Sequence, residues 1–166
     1  MVHLYIIKDW MAKVDKDEDR KHWSIHLITS IFNGIDIEKD ANGKPHIINA
    51  DKYINWSHND DYLVIVFTES GDIGVDVENA HIMYDETLYG WVLHEYEKYK
   101  IKKGTPFAEI WTRKESIVKC TGDGIHDNLC ELNSYDYKYV ISFRFGDTFI
   151  SVCSHVYEPI TIIPYK

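Results

Sequence analysis

Two rhythms of apolar residues alternate along the chain. Period-two alternation or short continuous apolar runs mark VHLYII (2–7), KYINWSH (52–58), YLVIVFT (62–68) and IGVDVE (73–78), which read as strands. Further on, YDYKYVISFRF (135–145) and DTFISVCSHVY (147–157) read as a hairpin across Gly146, and ITIIPY (160–165) follows. Helical spacing marks DEDRKHWSIHLITSIF (17–32), with Trp23, Leu27, Ile28, Ile31 and Phe32 on one face. It also marks YDETLYGWVLHEYEKYK (84–100), read as one helix, and TPFAEIWTRKESIVKC (105–120). In the latter, Thr105 suits the N-cap, Pro106 the first helical position, and Gly122 and Gly124 follow the end. ANGKP (41–45) and ESGD (69–72) are turn chemistry.

The order is strand–helix–strands, then strand–helix–helix–strands. That suggests one compact unit built from two similar halves of about 1–71 and 72–166. No Pro/Ser-rich linker or low-complexity tract interrupts it.

Composition narrows the function classes. The 166 residues, 45% hydrophobic and 27% charged, suit one soluble domain. No apolar run approaches the roughly 18–20 residues of a membrane span, and MVHLYIIKDW is too short and too soon charged to read as a signal peptide. Three cysteines without a CxxC predict a reducing cytoplasm, with no disulfide frame and no zinc site. A net charge of −9 disfavours nucleic-acid binding. An anionic ligand would need a local cluster of bases or a metal.

Two stretches carry the same acidic pattern: GIDIE at 34–38 and GVDVE at 74–78. In the second, strand alternation puts Ile73, Val75 and Val77 on one face and Gly74, Asp76 and Glu78 on the other. Adjacent carboxylates repel, and a hard divalent cation such as Mg²⁺ would relieve the repulsion. Gly74 would let a ligand approach the backbone. The plain alternative is a wet acidic strand face. On the helix at 105–120, Phe107, Ile110, Trp111 and Val118 form an apolar stripe with Lys114 in its middle. A lysine there must snorkel, shift its pKa or meet an anion. Glu115 and Lys119, at i and i+4, could be an ordinary surface ion pair. A polyanion beside a metal would explain all three, with Glu115 on the metal and the lysines on phosphates. Lys44 and Pro45 in the GKP turn, and Ser57 and His58 ending NWSH, could add phosphate contacts; each alone reads equally as turn or strand-end chemistry.

Taken in order, GKP, INWSH, GVDVE and FAEIWTRKESIVKCTGDG resemble the 4′-phosphopantetheinyl transferases of the surfactin-synthetase-activating type. The family's W-x-x-K-E-(S/A)-x-x-K-x-x-G-x-G is matched by Trp111, Lys114, Glu115, Ser116, Lys119, Gly122 and Gly124. The resemblance covers residues 43–124. It departs at Trp56, where a smaller residue is usual, at Asn59, where a serine often follows the histidine, and in a short segment before GKP. By motif order the metal pair is Asp76 and Glu78, and Asp36 with Glu38 is a look-alike.

The resemblance implies an α+β fold of two similar halves with its active site in the cleft between them. It implies transfer of 4′-phosphopantetheine from coenzyme A to a serine of an apo carrier protein, releasing adenosine 3′,5′-bisphosphate. Asp76, Glu78 and Glu115 would hold Mg²⁺, with Mn²⁺ left open. Glu115, or a metal-bound water beside it, would take the serine proton, and Lys119 would stabilise the leaving bisphosphate. Lys44, Pro45, Ser57, His58, Lys114 and Lys119 would line the coenzyme A site, and Arg20, Lys21 and His22 are candidates for its 3′-phosphate. The two-half reading favours a monomer without nucleic-acid or membrane partners. A basic helix end, EKYKIKKG (97–104), is a candidate docking patch for an acidic carrier protein. A non-catalytic coenzyme A or carrier-protein module, or another Mg²⁺-dependent diphosphate enzyme, would be the competing readings.

Overall fold

The computed structural model describes residues 1–13, 23–124 and 129–165. Nine strands and four α-helices are described: β1 (Val2–Lys8), α1 (Trp23–Ile31), β2 (Ile37–Lys39), β3 (Pro45–Ile47), β4 (Tyr53–His58), β5 (Tyr62–Thr68), β6 (Ile73–Asn79), α2 (Glu86–Tyr89), α3 (Glu95–Lys102), α4 (Phe107–Thr121), β7 (Val140–Phe145), β8 (Thr148–Ser154) and β9 (Ile160–Tyr165). Single 3-10 turns lie at Trp10–Lys13 and Leu129–Glu131. Arg20, Lys21 and His22 fall outside the described residues, as does the start of the expected helix at 17–32.

The first sheet runs β4-β5-β1-β9 and the second β6-β8-β7; β2 and β3 form a small separate hairpin around the GKP turn. The alternating pattern decides what each sheet face buries. Val2, Leu4, Ile6, Val64 and Val66 of the first sheet share one apolar core with Ile73, Val75, Val77, Ile150 and Val152 of the second. The first sheet's other face, with Ile7, Ile54, Leu63 and Ile65, packs against Trp23 and Ile28 of α1. The second sheet's other face carries α4. The layers therefore run α1, first sheet, second sheet, α4. The α+β expectation holds. From the second half by sequence, β9 crosses back and pairs in parallel with β1, Val2 opposite Ile160.

Gly74 is where α4 crosses β6. A Cβ there would stand 2.0 Å from the Ser116 carbonyl oxygen and 2.5 Å from the Cys120 nitrogen. The backbone that comes close to Gly74 is thus the helix's own, and not the ligand that the strand pattern suggests. Gly122 closes α4 at φ 77°, a left-handed conformation that suits glycine. At the other end Pro106, not Thr105, takes the N-cap position, and no side chain caps the helix.

The helix expected over 84–100 is broken. α2 ends at Gly90; the chain then buries Val92 and Leu93 and restarts at His94. The restart is a reciprocal cap: the Tyr96 N–H donates to His94 Nδ1 (3.1 Å), and the His94 N–H donates to Glu97 Oε2 (2.9 Å).

Candidate functional site

The site forms where two sheet edges meet. β4 is an edge of the first sheet and β6 an edge of the second. They are joined by side chains: Val75 N–H donates to Asn55 Oδ1 (3.2 Å), and Ser57 Oγ donates to Asp76 Oδ1 (2.7 Å). Period two puts Asn55 and Ser57 on the same face of β4. From α4, Lys119 Nζ completes a triangle, donating to Asp76 Oδ1 (2.6 Å) and Ser57 Oγ (3.0 Å). Four of the expected site residues, Ser57, Asp76, Glu115 and Lys119, thus belong to one neighbourhood.

Glu115 lies one position past Lys114 and faces the cleft. Its Oε1 is buried and has no hydrogen-bond partner. Burial first, then the Asp76 charge, raises its pKa above the ordinary glutamate value, and Lys119 opposes the shift. Burial also raises the pKa of Glu78, with Asp76 adding to it; its Oε1 accepts from the Asn79 N–H at 2.7 Å. Asp76 thus repels both Glu78 and Glu115, and one buried Glu115 oxygen is unmatched. That chemistry fits a divalent cation held by Asp76, Glu78 and Glu115. Among the described residues, no three such side chains converge into a ready ligand shell; the Lys119 ammonium meets the Asp76 charge directly.

His58 ends β4, exposed, with its ring 4.8 Å from Trp10 and 5.1 Å from Trp23. Partial burial, then the Lys119 charge, lowers its pKa and favours the neutral imidazole. Trp10 itself is held by its indole N–H, which donates to the Asn59 carbonyl (2.7 Å).

The GKP turn docks on the end of α4. Lys44 Nζ donates to the Cys120 carbonyl (2.7 Å) and pairs with Asp72 (2.5 Å), while Asn42 Nδ2 donates to the Gly122 carbonyl (2.9 Å). Lys44 and Pro45 line the cleft, but the Lys44 ammonium is committed to holding the hairpin against the helix. The cleft has a volume of about 310 Å³ and is also lined by Trp56, Glu115 and Lys119.

Lys114 corrects the sequence reading. It is 0% exposed, pairs with the equally buried Glu97 at 2.8 Å, and donates to the carbonyls of Val92 (2.7 Å), Leu129 (3.0 Å) and Leu132 (2.7 Å). Burial pulls its pKa down and Glu97 opposes it. A lysine so enclosed does not reach a phosphate; it ties α3 and the segment after α4 to the helix. Sequence reasoning missed Glu97, Asn42, Asn55 and Lys39. Only Asn55 had a signal, its period-two spacing from Ser57.

Asp36 and Glu38 are exposed and belong to the β2–β3 hairpin, where Glu38 is opposite His46. They do not line the cleft. In the basic segment 97–104, Lys98 pairs with Glu95 (3.1 Å) and Glu86 (3.5 Å), and the ammoniums of Lys100 and Lys103 lie over the rings of Tyr135 and Tyr99. Among the described residues no helix is long and apolar enough to cross a membrane.

Comparison with known proteins bears on the family of the chain. A protein of Aneurinibacillus migulanus named 4′-phosphopantetheinyl transferase gsp is 28% identical over 114 residues, covering 64% of this chain and 46% of its own length. A Synechocystis sp. protein, slr0495, named provisionally for the same activity, is 28% identical over 115 residues, covering 59% of this chain and 46% of its own. The chain thus spans just under half the length of these relatives. The profile of the 4′-phosphopantetheinyl transferase superfamily matches residues 72–157, from the turn before β6 through α4 to the end of the β7–β8 hairpin, and this chain belongs to that superfamily.

Proposed function

We propose that the chain transfers 4′-phosphopantetheine from coenzyme A to a serine hydroxyl of an apo carrier protein. The observation that carries the reading is the Ser57–Asp76–Lys119 triangle at the seam of the two sheets, whose Lys119 lines the adjoining cleft together with Glu115 and its unmatched oxygen.

In the reaction the acceptor serine oxygen bonds to the phosphorus bearing pantetheine. The bond from that phosphorus to the bridging oxygen of the pyrophosphate breaks, and adenosine 3′,5′-bisphosphate departs with the electron pair. Glu115 suits the base that takes the serine proton, since its raised pKa makes it a better acceptor than an exposed glutamate. Lys119 reaches the cleft from α4 and suits the charge that builds on the departing phosphate. Ser57 and neutral His58 can donate hydrogen bonds to phosphate oxygens. Asp76, Glu78 and Glu115 would hold Mg²⁺ or Mn²⁺, which when bound supplies neutralisation of the pyrophosphate charge. The acidic surface and the absence of a membrane-crossing helix among the described residues accord with a cytoplasmic setting.

The test is to incubate the chain with coenzyme A, Mg²⁺ and a panel of apo carrier proteins and weigh the products. One carrier protein should gain the mass of one phosphopantetheine. Lys119→Met should lower turnover at least tenfold with a smaller effect on coenzyme A binding, because its contact strengthens as the bisphosphate leaves. Coenzyme A binding without any mass gain would mean a binding module, and bisphosphate release without carrier protein a hydrolase.

A further inference from the structure

Two residues of the cleft wall take no part in the network around Asp76: Trp56 of β4 and Lys39 of β2. Trp56 lies between Asn55 and Ser57, so its side chain leaves the opposite face of the strand. It packs against the apolar cluster beneath α1, yet stays half-buried and borders the cleft. The Lys39 ammonium sits over its ring, 5.2 Å from the centroid. The site that handles phosphate therefore has, one position along the same strand, an indole that shares the cleft wall with a surface cation. Among the described residues, the loose attraction between ammonium and ring is the contact that holds Lys39 there.

We infer that Trp56 and Lys39 form a nucleobase-recognising wall: Trp56 stacks on the purine of the nucleotide donor, and Lys39 moves from the indole to a phosphate of the same nucleotide. A planar heteroaromatic base matches a ring face, and an anion attached to it matches the cation already there. Ser57, at the neighbouring position on β4, meets Lys119 (3.0 Å), and these are the proposed phosphate contacts, so one extended ligand can span both. That the nucleotide is the adenosine part of coenzyme A rests on the proposed function.

The experiment measures binding to the full chain by calorimetry, with adenosine 3′,5′-bisphosphate and inorganic pyrophosphate as probes. Trp56→Leu, which keeps an apolar side chain against the cluster, should weaken the bisphosphate roughly five- to a hundredfold, the range of a lost base stack. Pyrophosphate should bind it within about twofold of wild type, since phosphate contacts are untouched. Trp56→Phe should keep most of the bisphosphate affinity. Lys39→Met should weaken the bisphosphate and flatten its salt dependence. Equal bisphosphate affinity in wild type and Trp56→Leu would overturn the inference, as would parallel loss of both probes, the mark of a merely structural residue. A wild type that binds pyrophosphate and coenzyme A but not the bisphosphate would overturn it and leave the transferase reading standing. A wild type that binds neither coenzyme A nor bisphosphate would overturn both.

Discussion

Asp76 Oδ1 accepts from Ser57 and from Lys119, so a single carboxylate oxygen joins the edge strand of one sheet, the edge strand of the other and the helix across them. Replacing Asp76 with Ala should abolish transfer, and so should Glu115→Ala, because each removes a carboxylate that would hold the cation needed to neutralise the pyrophosphate. Asp36→Ala, in the look-alike motif, should leave transfer near wild type; the mass assay decides, and a dead Asp36 variant would reverse the assignment. Glu115 also makes a prediction about stability. Its pKa is raised in the folded chain, so the folded chain holds that proton where the unfolded chain has lost it. Stability then falls as pH rises from the ordinary glutamate value, about 4.3, through the raised one. Without metal at pH 7, Glu115→Gln should therefore raise the melting temperature while transfer is lost, and added Mg²⁺ should stabilise wild type more than the variant. A melting temperature unchanged or lowered by Glu115→Gln, read by calorimetry, would count against a strained carboxylate.

At the scale of elements, α4 is held from two sides. Gly74 lets it lie on β6, and Lys114 binds the turn at Val92, the carboxylate of α3 and the carbonyls of Leu129 and Leu132. Lys114→Met would leave Glu97 buried without its cation, at a cost of about 3–5 kcal/mol, and adding Glu97→Gln should recover part of it. Urea unfolding measures both; an unchanged midpoint in Lys114→Met would restore the phosphate role. The case also shows what a linear reading can see. β1, β4, β5 and β6 were legible because alternation and apolar runs are local. Lys114 was legible as an anomaly, a cation in an apolar stripe, but its partner was not. Glu97 lies seventeen positions earlier, on a helix whose break comes from the burial of Val92 and Leu93 and the cap at His94, and 3.6-residue periodicity runs straight through it. The β2–β3 hairpin, three residues a strand, is too short to show any period. Ser57, Asp76, Glu115 and Lys119 could be grouped by motif order, whereas the commitment of Lys44 to Asp72 depends on where the hairpin lands.

Over the whole molecule, the two sheets share one core and the site lies at their seam, so whatever loosens the sheets relative to each other should be felt at Asp76. The first sheet is closed by β9, and the same region anchors the other end of β1: Glu158, buried, binds the Met1 ammonium and the hydroxyls of Thr68 and Ser70. Ending the chain after Glu158 should leave β1 as a bare strand edge able to pair with other molecules. Light scattering should show association of the truncated chain that the full chain lacks; a monomeric, active truncation would make β9 dispensable. The pairing of Val2 with Ile160 also sets a schedule. β1 is made before its parallel neighbour, which follows roughly 150 residues later, a wait of about 8–30 s at ordinary rates of synthesis. Among the described strands β1 pairs with β5 and β9, so until β9 is made only its β5 side can be covered. The nascent chain must therefore pass through a stage in which an open, apolar strand flank is presented to the ribosome's surroundings, and this protein should depend on folding helpers more while it is being made than after release.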